Sequence, residues 1–245
     1  MSEIKKRVIS LNVKRNEEPV SAYLGCVSQN AYSMLENNIE SILESNKLRY
    51  FSSLRFEKRK KDYLTGRYMA KSVVAEYLHE TNLAAIEIAN GVFNQPFVKY
   101  NGPDIPGVSL SHSYDWSVAL SFPYGHPMGI DIEKVDLEEL DIIKGQLTED
   151  EIRLIHESGI KEEITYFQTW TMKEALSKVL KCGLTTPFTV LEIDKPHFQS
   201  NGVATCLFKN FGQYKCHSWI IKGYALSIVL PKNSEMKMDI RSLFP

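Results

Sequence analysis

The sequence has no excess of either charge: 29 Lys and Arg stand against 30 Asp and Glu, for a net charge of −1. A global basic field for nucleic acid is therefore absent, although a local basic patch is not excluded. No apolar run approaches the roughly 20 residues of a membrane span. No apolar segment follows the charged start Met1-Ser2-Glu3-Ile4-Lys5-Lys6-Arg7 in the manner of a secretion signal. A soluble, cytoplasmic protein without nucleic-acid or membrane partners is expected. Cysteine is sparse. Cys26, Cys182, Cys206 and Cys216 form no C-x-x-C pair and have no His at zinc-site spacing, so buried free thiols are expected. No segment rich in Gly, Ser or Pro divides the chain, so its parts should pack tightly. What remains is ordinary globular composition, 43% hydrophobic and 24% charged, over 245 residues. That length suits one large domain or two of about 120 residues.

Ile9, Leu11 and Val13 alternate with Ser10, Asn12 and Lys14, the period of a half-buried strand. Residues 20–27 are its expected hairpin partner, through a turn at 16–19. Helices are expected over 30–45 and 56–79, and short strands near 86–89, 97–100, 108–112, 116–122 and 128–133. Thr148 and Glu151 have the spacing of a capping box, opening a helix that runs to about Glu157. A long helix over 161–181 is stopped by Gly183 and Pro187. Strands are expected at 188–193, 203–209, 214–221 and 223–230. No role is legible in the polar tail from Lys232 to Leu243-Phe244-Pro245. Strands, long helix, strands thus occur twice, without evident identity between the halves. The expected fold is α+β: a pseudo-dimer of two similar subdomains, each a small antiparallel sheet packed on a long helix. Their expected bounds are 1–123 and 124–231, with a tail over 232–245.

Four segments carry chemistry. In Gly129-Ile130-Asp131-Ile132-Glu133, strand alternation turns Ile130 and Ile132 to one face and Asp131 and Glu133 to the other. Two ordinary acids on the solvated face of an edge strand explain this pattern. So does a hard divalent cation held between carboxylates, which would offset their repulsion. Glu174 and Lys178 are i,i+4 neighbours on the long helix. They read either as a surface pair of about 0.3–0.5 kcal/mol, or as a third carboxylate and a lysine reaching a phosphate. Arg67 falls in the apolar stripe of Tyr63, Leu64, Ala70 and Val74, and there it needs an anionic partner or must snorkel to an edge. The nearby run from Lys58 to Lys61 reads as a solvated face that could also raise the local potential. Ser111 and His112 end a strand. As i,i+1 neighbours their side chains diverge, which excludes a nucleophile–base pair, but both can donate to a phosphate.

In this order and spacing the segments resemble the phosphopantetheinyl transferases of the type that activates surfactin synthetase. The matching residues are Leu110-Ser111-His112-Ser113, Gly129 to Glu133, and Trp170 to Lys178, preceded by Tyr63-Leu64-Thr65-Gly66-Arg67. The likeness covers about residues 50 to 190. It implies transfer of the phosphopantetheine arm of coenzyme A to a serine of an apo acyl or peptidyl carrier protein, releasing adenosine 3′,5′-bisphosphate. It further implies Mg²⁺ on Asp131, Glu133 and Glu174, and Lys178 on the pyrophosphate. Ser111 and His112 would meet the adenosine-side phosphate, with Arg67 assisting at the coenzyme. Glu174, or a water held by the metal, is the implied base. The family's Gly-Lys-Pro is Asn94-Gln95-Pro96 here, so Gln95 brings a hydrogen bond but no charge to the coenzyme. Carrier docking is expected around Leu184, Thr185 and Phe188, and a monomer is expected because one chain carries both subdomains. Two alternatives use the same residues: a carboxylate-metal phosphohydrolase, and a coenzyme- or carrier-binding protein without catalysis.

Overall fold

The computed structural model describes residues 6–244. The chain opens with β1 (Lys6–Ser10), the small hairpin β2 (Val13–Arg15) and β3 (Glu18–Val20), and β4 (Tyr23–Ser28). Asn16 and Glu17 turn that hairpin with φ of 50° and 66°, a left-handed pair that Asn adopts more readily than most residues. Two short helices, α1 (Tyr32–Glu36) and α2 (Ser45–Ser53), lead to the long α3 (Glu57–Leu78). The hairpins β5 (Glu87–Asn90) with β6 (Pro96–Lys99), and β7 (Gly107–Ser113) with β8 (Trp116–Phe122), complete the first half. The second half runs through β9 (Gly129–Lys134), α4 (Leu140–Lys144), α5 (Glu149–Glu157) and the long α6 (Glu162–Leu180). It continues in β10 (Ile193–Phe198), β11 (Val203–Phe208), β12 (Tyr214–Ile221) and β13 (Tyr224–Pro231), and ends with β14 (Ser234–Met236).

The duplication expected from the sequence is visible in the sheets. One has the order β1-β4-β8-β7, the other β10-β11-β12-β13-β9. In each, the strand before the long helix, β4 or β9, pairs antiparallel with the last strand of that sheet in chain order, β8 or β13. That last strand pairs in turn with the penultimate one, β7 or β12. The inner faces of the two sheets share a core in which Leu24, Val118 and Leu120 meet Ile130, Ile132, Leu226 and Ile228. Helix α3 covers the outer face of the first sheet through Leu64, Met69 and Val73. Helix α6 covers the second through Met172, Ala175 and Leu176. The layer order is helix, sheet, sheet, helix, each apolar face buried against a neighbour.

The expected helix over 30–45 is not continuous: α1 stops at Glu36 and a single 3₁₀ turn spans 39–41. Asn37-Asn38 is a poor helix continuation. Tertiary contacts then fix the path, because Ile42 and Leu43 are buried and Glu44 Oε1 receives Lys71 Nζ at 2.5 Å. The expected strand at 188–193 is a 3₁₀ turn over Phe188–Leu191, with the strand starting at Ile193. Phe188 and Leu191 are both buried, as i,i+3 residues on one face of a 3₁₀ turn can be. The tail is more than polar: β14 pairs with β2, and Ile240, Leu243 and Phe244 fill the shared core. Among the described residues all four cysteines are free, with Cys26, Cys206 and Cys216 buried. Among the described residues no helix is long and apolar enough to cross a membrane.

Candidate active site

The carboxylate strand β9 is the edge of its sheet, yet it is not solvated. Asp131 is only 2% exposed, which removes the explanation of two ordinary surface acids. Two neighbours cover it. On one side α6 approaches so closely that a Cβ on Gly129 would sit 2.2 Å from the Ala175 carbonyl oxygen. Glycine is therefore required there by helix contact, and that contact lays the Glu174–Lys178 turn over the strand. On the other side lies β7 of the first half. Its alternate residues Ser109, Ser111 and Ser113 all turn towards β9. Ser109 Oγ accepts from Ile130 N at 3.1 Å, Ser111 Oγ donates to Asp131 Oδ1 at 2.7 Å, and Ser113 Oγ donates to Glu133 Oε2 at 2.9 Å. A row of hydroxyls thus joins the two halves where no backbone ladder does.

Lys178 Nζ donates to Asp131 Oδ1 at 2.6 Å. The i,i+4 spacing invited a Glu174–Lys178 surface pair, but the lysine crosses to the strand instead. Asp131 Oδ2 is buried and has no hydrogen-bond partner, an unusual state for a buried charged oxygen. Burial and then the Asp131 charge push the Glu133 carboxyl up to about 8 and the Glu174 carboxyl up to about 7. Three carboxyl groups thus share one low-dielectric region with a single ammonium group bonded among them. Among the described residues no three Asp, Glu, His or Cys side chains already form a closed cation-binding group; Asp131 is turned to Lys178 and Ser111.

A cleft of about 1450 Å³ opens between the halves, walled by Tyr63, Arg67, Gln95 and His112 from the first and by Lys178 and Lys181 from the second. Lys178 belongs both to this wall and to the Asp131 cluster. A smaller concavity of about 560 Å³, near Tyr32, Glu36 and Lys60, contains none of the expected site residues.

Residues 127–229 match the family model described as the 4′-phosphopantetheinyl transferase superfamily. This segment is similar to that superfamily. It contains β9, α6 and all three expected metal carboxylates. The chain is 25% identical over 176 residues to the 4′-phosphopantetheinyl transferase gsp of Aneurinibacillus migulanus, covering 71% of this chain and 69% of that protein. It is 29% identical over 127 residues to the 4′-phosphopantetheinyl transferase ffp of Bacillus subtilis, covering 51% and 54%. Among solved structures, it is similar to a holo-(acyl-carrier-protein) synthase from Bacillus anthracis str. Ames in complex with CoA (3′,5′-ADP), at 20% identity and a TM-score of 0.38 over 47% of this chain and 96% of that one. It is likewise similar to the holo-ACP-synthase from Plasmodium yoelii, at 18% identity and a TM-score of 0.34 over 48% and 95%.

Several expected site residues stand otherwise than the superfamily pattern suggested. Ser111 and His112 point apart: strand alternation turns Ser111 to Asp131, while His112 lines the cleft. Arg67, 8% exposed, is bonded to the Ile88 carbonyl and to Asn90 Oδ1 and lies 5.3 Å over the Tyr63 ring, so it braces the β5–β6 hairpin from the cleft wall. Gln95 Oε1 accepts from Phe93 N at 2.9 Å and so holds its own loop. Phe188 is buried and stacked on Trp170 at 4.7 Å, which makes it an anchor and not a presented docking residue. Thr185 is exposed, while the Leu184 side chain lies outside the described set. Sequence reasoning missed the serine row. Its signal was the alternation Ser109-x-Ser111-x-Ser113, polar residues on the face of a strand that meets no solvent. It also missed Lys173, to which the Trp170–Lys178 motif assigns no role. Its ammonium and Glu151 are both fully buried and 2.6 Å apart.

Proposed function

We propose that the chain transfers the 4′-phosphopantetheine group of coenzyme A to a serine hydroxyl of an apo acyl or peptidyl carrier protein, releasing adenosine 3′,5′-bisphosphate. The observation that carries this reading is the meeting of Lys178, Asp131 and the half-buried Glu133 and Glu174 beside the large interdomain cleft, inside the superfamily segment. The cleft has the size of a ligand site, and its basic wall suits a pyrophosphate and a sugar phosphate. Lys178 and Lys181 bind the pyrophosphate, and His112 takes the adenosine-side phosphate. Arg67 and Gln95 shape the wall by holding the β5–β6 hairpin.

A divalent cation fits the donor set. Asp131 Oδ2 is a buried oxygen without a partner, and burial and then the Asp131 charge raise the Glu133 and Glu174 carboxyls, a cost that a bound cation would offset. Asp131, Glu133 and Glu174 are the residues that would hold Mg²⁺, which would supply positive charge to offset the pyrophosphate and the charge that develops on the leaving group. The chain's own residues do the rest. Lys178 fixes the pyrophosphate for in-line attack. The serine oxygen forms its bond to the pantetheine-side phosphorus as the bond to the adenosine bisphosphate breaks. Glu174, or a water beside it, takes the serine proton.

The test incubates the protein with apo carrier, coenzyme A and Mg²⁺, and weighs the carrier. A gain of one phosphopantetheine group, lost with a chelator and restored by Mg²⁺, is expected. An unmodified carrier with coenzyme A hydrolysed indicates a phosphohydrolase. An unmodified carrier with coenzyme A intact indicates a binding protein.

A further inference from the structure

Three elements of the first half converge on one carboxylate at the cleft. Asp62, on α3, has a side chain 11% exposed. Its Oδ2 lies 3.3 Å from His112 Nε2 on β7. Its Oδ1 accepts from Gln29 Nε2 at 2.5 Å, from the turn that follows β4. Burial opposes the Asp62 charge, yet the His112 and Gln29 bonds and the nearby Lys58 hold its carboxyl below the usual range. An acid is an unexpected residue in a wall meant for phosphates, because its charge repels the ligand. Here that charge is engaged twice, and Arg59 and Arg67 line the same wall. With Nε2 on Asp62, Nδ1 is the ring nitrogen left to a ligand.

We infer that Asp62 is a positioning residue, steadied by Gln29, which fixes the His112 ring so that its remaining nitrogen meets the adenosine-side phosphate of coenzyme A. This rests on the proposed transfer reaction and on His112 touching that phosphate. Asp62 itself touches no reacting atom. The ring of a half-exposed histidine is otherwise free to turn about its side-chain bonds, and holding it in one orientation removes an ordering cost from binding. The binding energy at stake is present in the ground state and the transition state alike, so the effect belongs in KM and not in kcat.

The test is a double-mutant cycle on the full chain with Asp62→Asn, His112→Gln and the pair. Each variant is assayed with coenzyme A and with 3′-dephospho-coenzyme A. Asp62→Asn should raise the coenzyme A KM about tenfold, the worth of one charge-assisted hydrogen bond. Its kcat should stay within about twofold of the parent, as loss of uniform binding requires. The double variant should match His112→Gln alone, and the Asp62→Asn effect should vanish with the dephospho substrate. A purely structural Asp62 would raise KM for both substrates and add to the His112 effect, which overturns the inference. A lowered KM, from relief of phosphate repulsion, also overturns it. If His112→Gln itself leaves KM unchanged while the carrier is still modified, transfer stands but His112 is not on the phosphate, and the inference falls with that contact. Should Asp62→Asn not fold, Gln29→Met removes only the brace. A KM raised for coenzyme A alone supports the inference, and an unchanged KM overturns it.

Discussion

Replacing Lys173 by Met should cost far more stability than a lysine substitution normally does. The ammonium donates to Glu151 Oε2 at 2.6 Å and to the Gln146 carbonyl at 3.2 Å. Glu151 also accepts Thr148 N at 2.8 Å through Oε2 and Ile193 N at 3.0 Å through Oε1. One buried carboxylate therefore joins the start of α5, the middle of α6 and the first residue of β10. Burial holds the Lys173 ammonium below the usual lysine range, with Glu151 opposing that shift. Removing one partner of a buried pair costs about 3–5 kcal/mol. Two backbone N–H groups still hold Glu151 in the variant, which places the cost near the lower end, about 3 kcal/mol. Lys173→Met/Glu151→Gln carries no buried charge and keeps one amide acceptor. It should recover at least half of the loss despite being the larger change. Urea unfolding followed by tryptophan fluorescence measures all three proteins; Trp170 sits on α6 beside the pair. A loss below about 1 kcal/mol for the single variant, typical of an exposed ion pair, would refute the reasoning. So would a double variant no more stable than the single one.

Two further outcomes follow from the packing. Gly129→Ala places a Cβ against the Ala175 carbonyl, so it should destabilise by about 1–3 kcal/mol as overpacking does and lower turnover by pushing α6 off β9; a melt and rate equal to the parent's would contradict that approach. His217 Nε2 is buried without a partner, and burial, with Lys215 nearby, lowers this imidazole from 6.5 to about 4. The unfolded chain then takes a proton near pH 6.5 that the folded chain refuses until about pH 4, so stability is lost as pH falls through that window, by up to roughly 3 kcal/mol. His217→Phe should flatten the pH dependence of urea unfolding there, and parallel curves for the two proteins would refute it.

The sequence made the long helices and the site strand legible because their signals are local. The 22 residues of α3 and 19 of α6 end at a left-handed His79 and Lys181, close to where the sequence pattern placed their stops. The capping box at Thr148 and Glu151 forms as its spacing demands. Strand alternation put Ile130 and Ile132 in the core and Asp131 and Glu133 together. It could not say whether that second face meets water or the other half of the chain, because the answer depends on a seam between residues about 20 apart in sequence, made by Ser109, Ser111 and Ser113. The same limit hid the direction of Lys178: spacing offered Glu174 as partner, and the fold supplied Asp131. Residues 37–44 defeated the helix expectation for the converse reason, since the burial of Ile42 and Leu43 and the Glu44–Lys71 bond outweigh weak local propensity. Glu151 was read as a capping residue alone, and nothing local announces that Lys173 and Ile193 converge on it.

The account stands or falls on whether the α6–β9 junction is the transfer site, and initial rates of carrier modification by Glu174→Gln and Lys178→Met, with thermal melts alongside, test this most directly. Glu174→Gln keeps the shape and removes the charge, and should cut kcat by a factor on the order of 10²–10⁴, as loss of a positioned acid–base group does. Lys178→Met frees Asp131 and removes the pyrophosphate contact, and should raise the coenzyme A KM while lowering kcat. Both proteins should still melt cooperatively. Near-parental turnover in both would contradict the site, leaving α6 as scaffold and the superfamily likeness as fold alone.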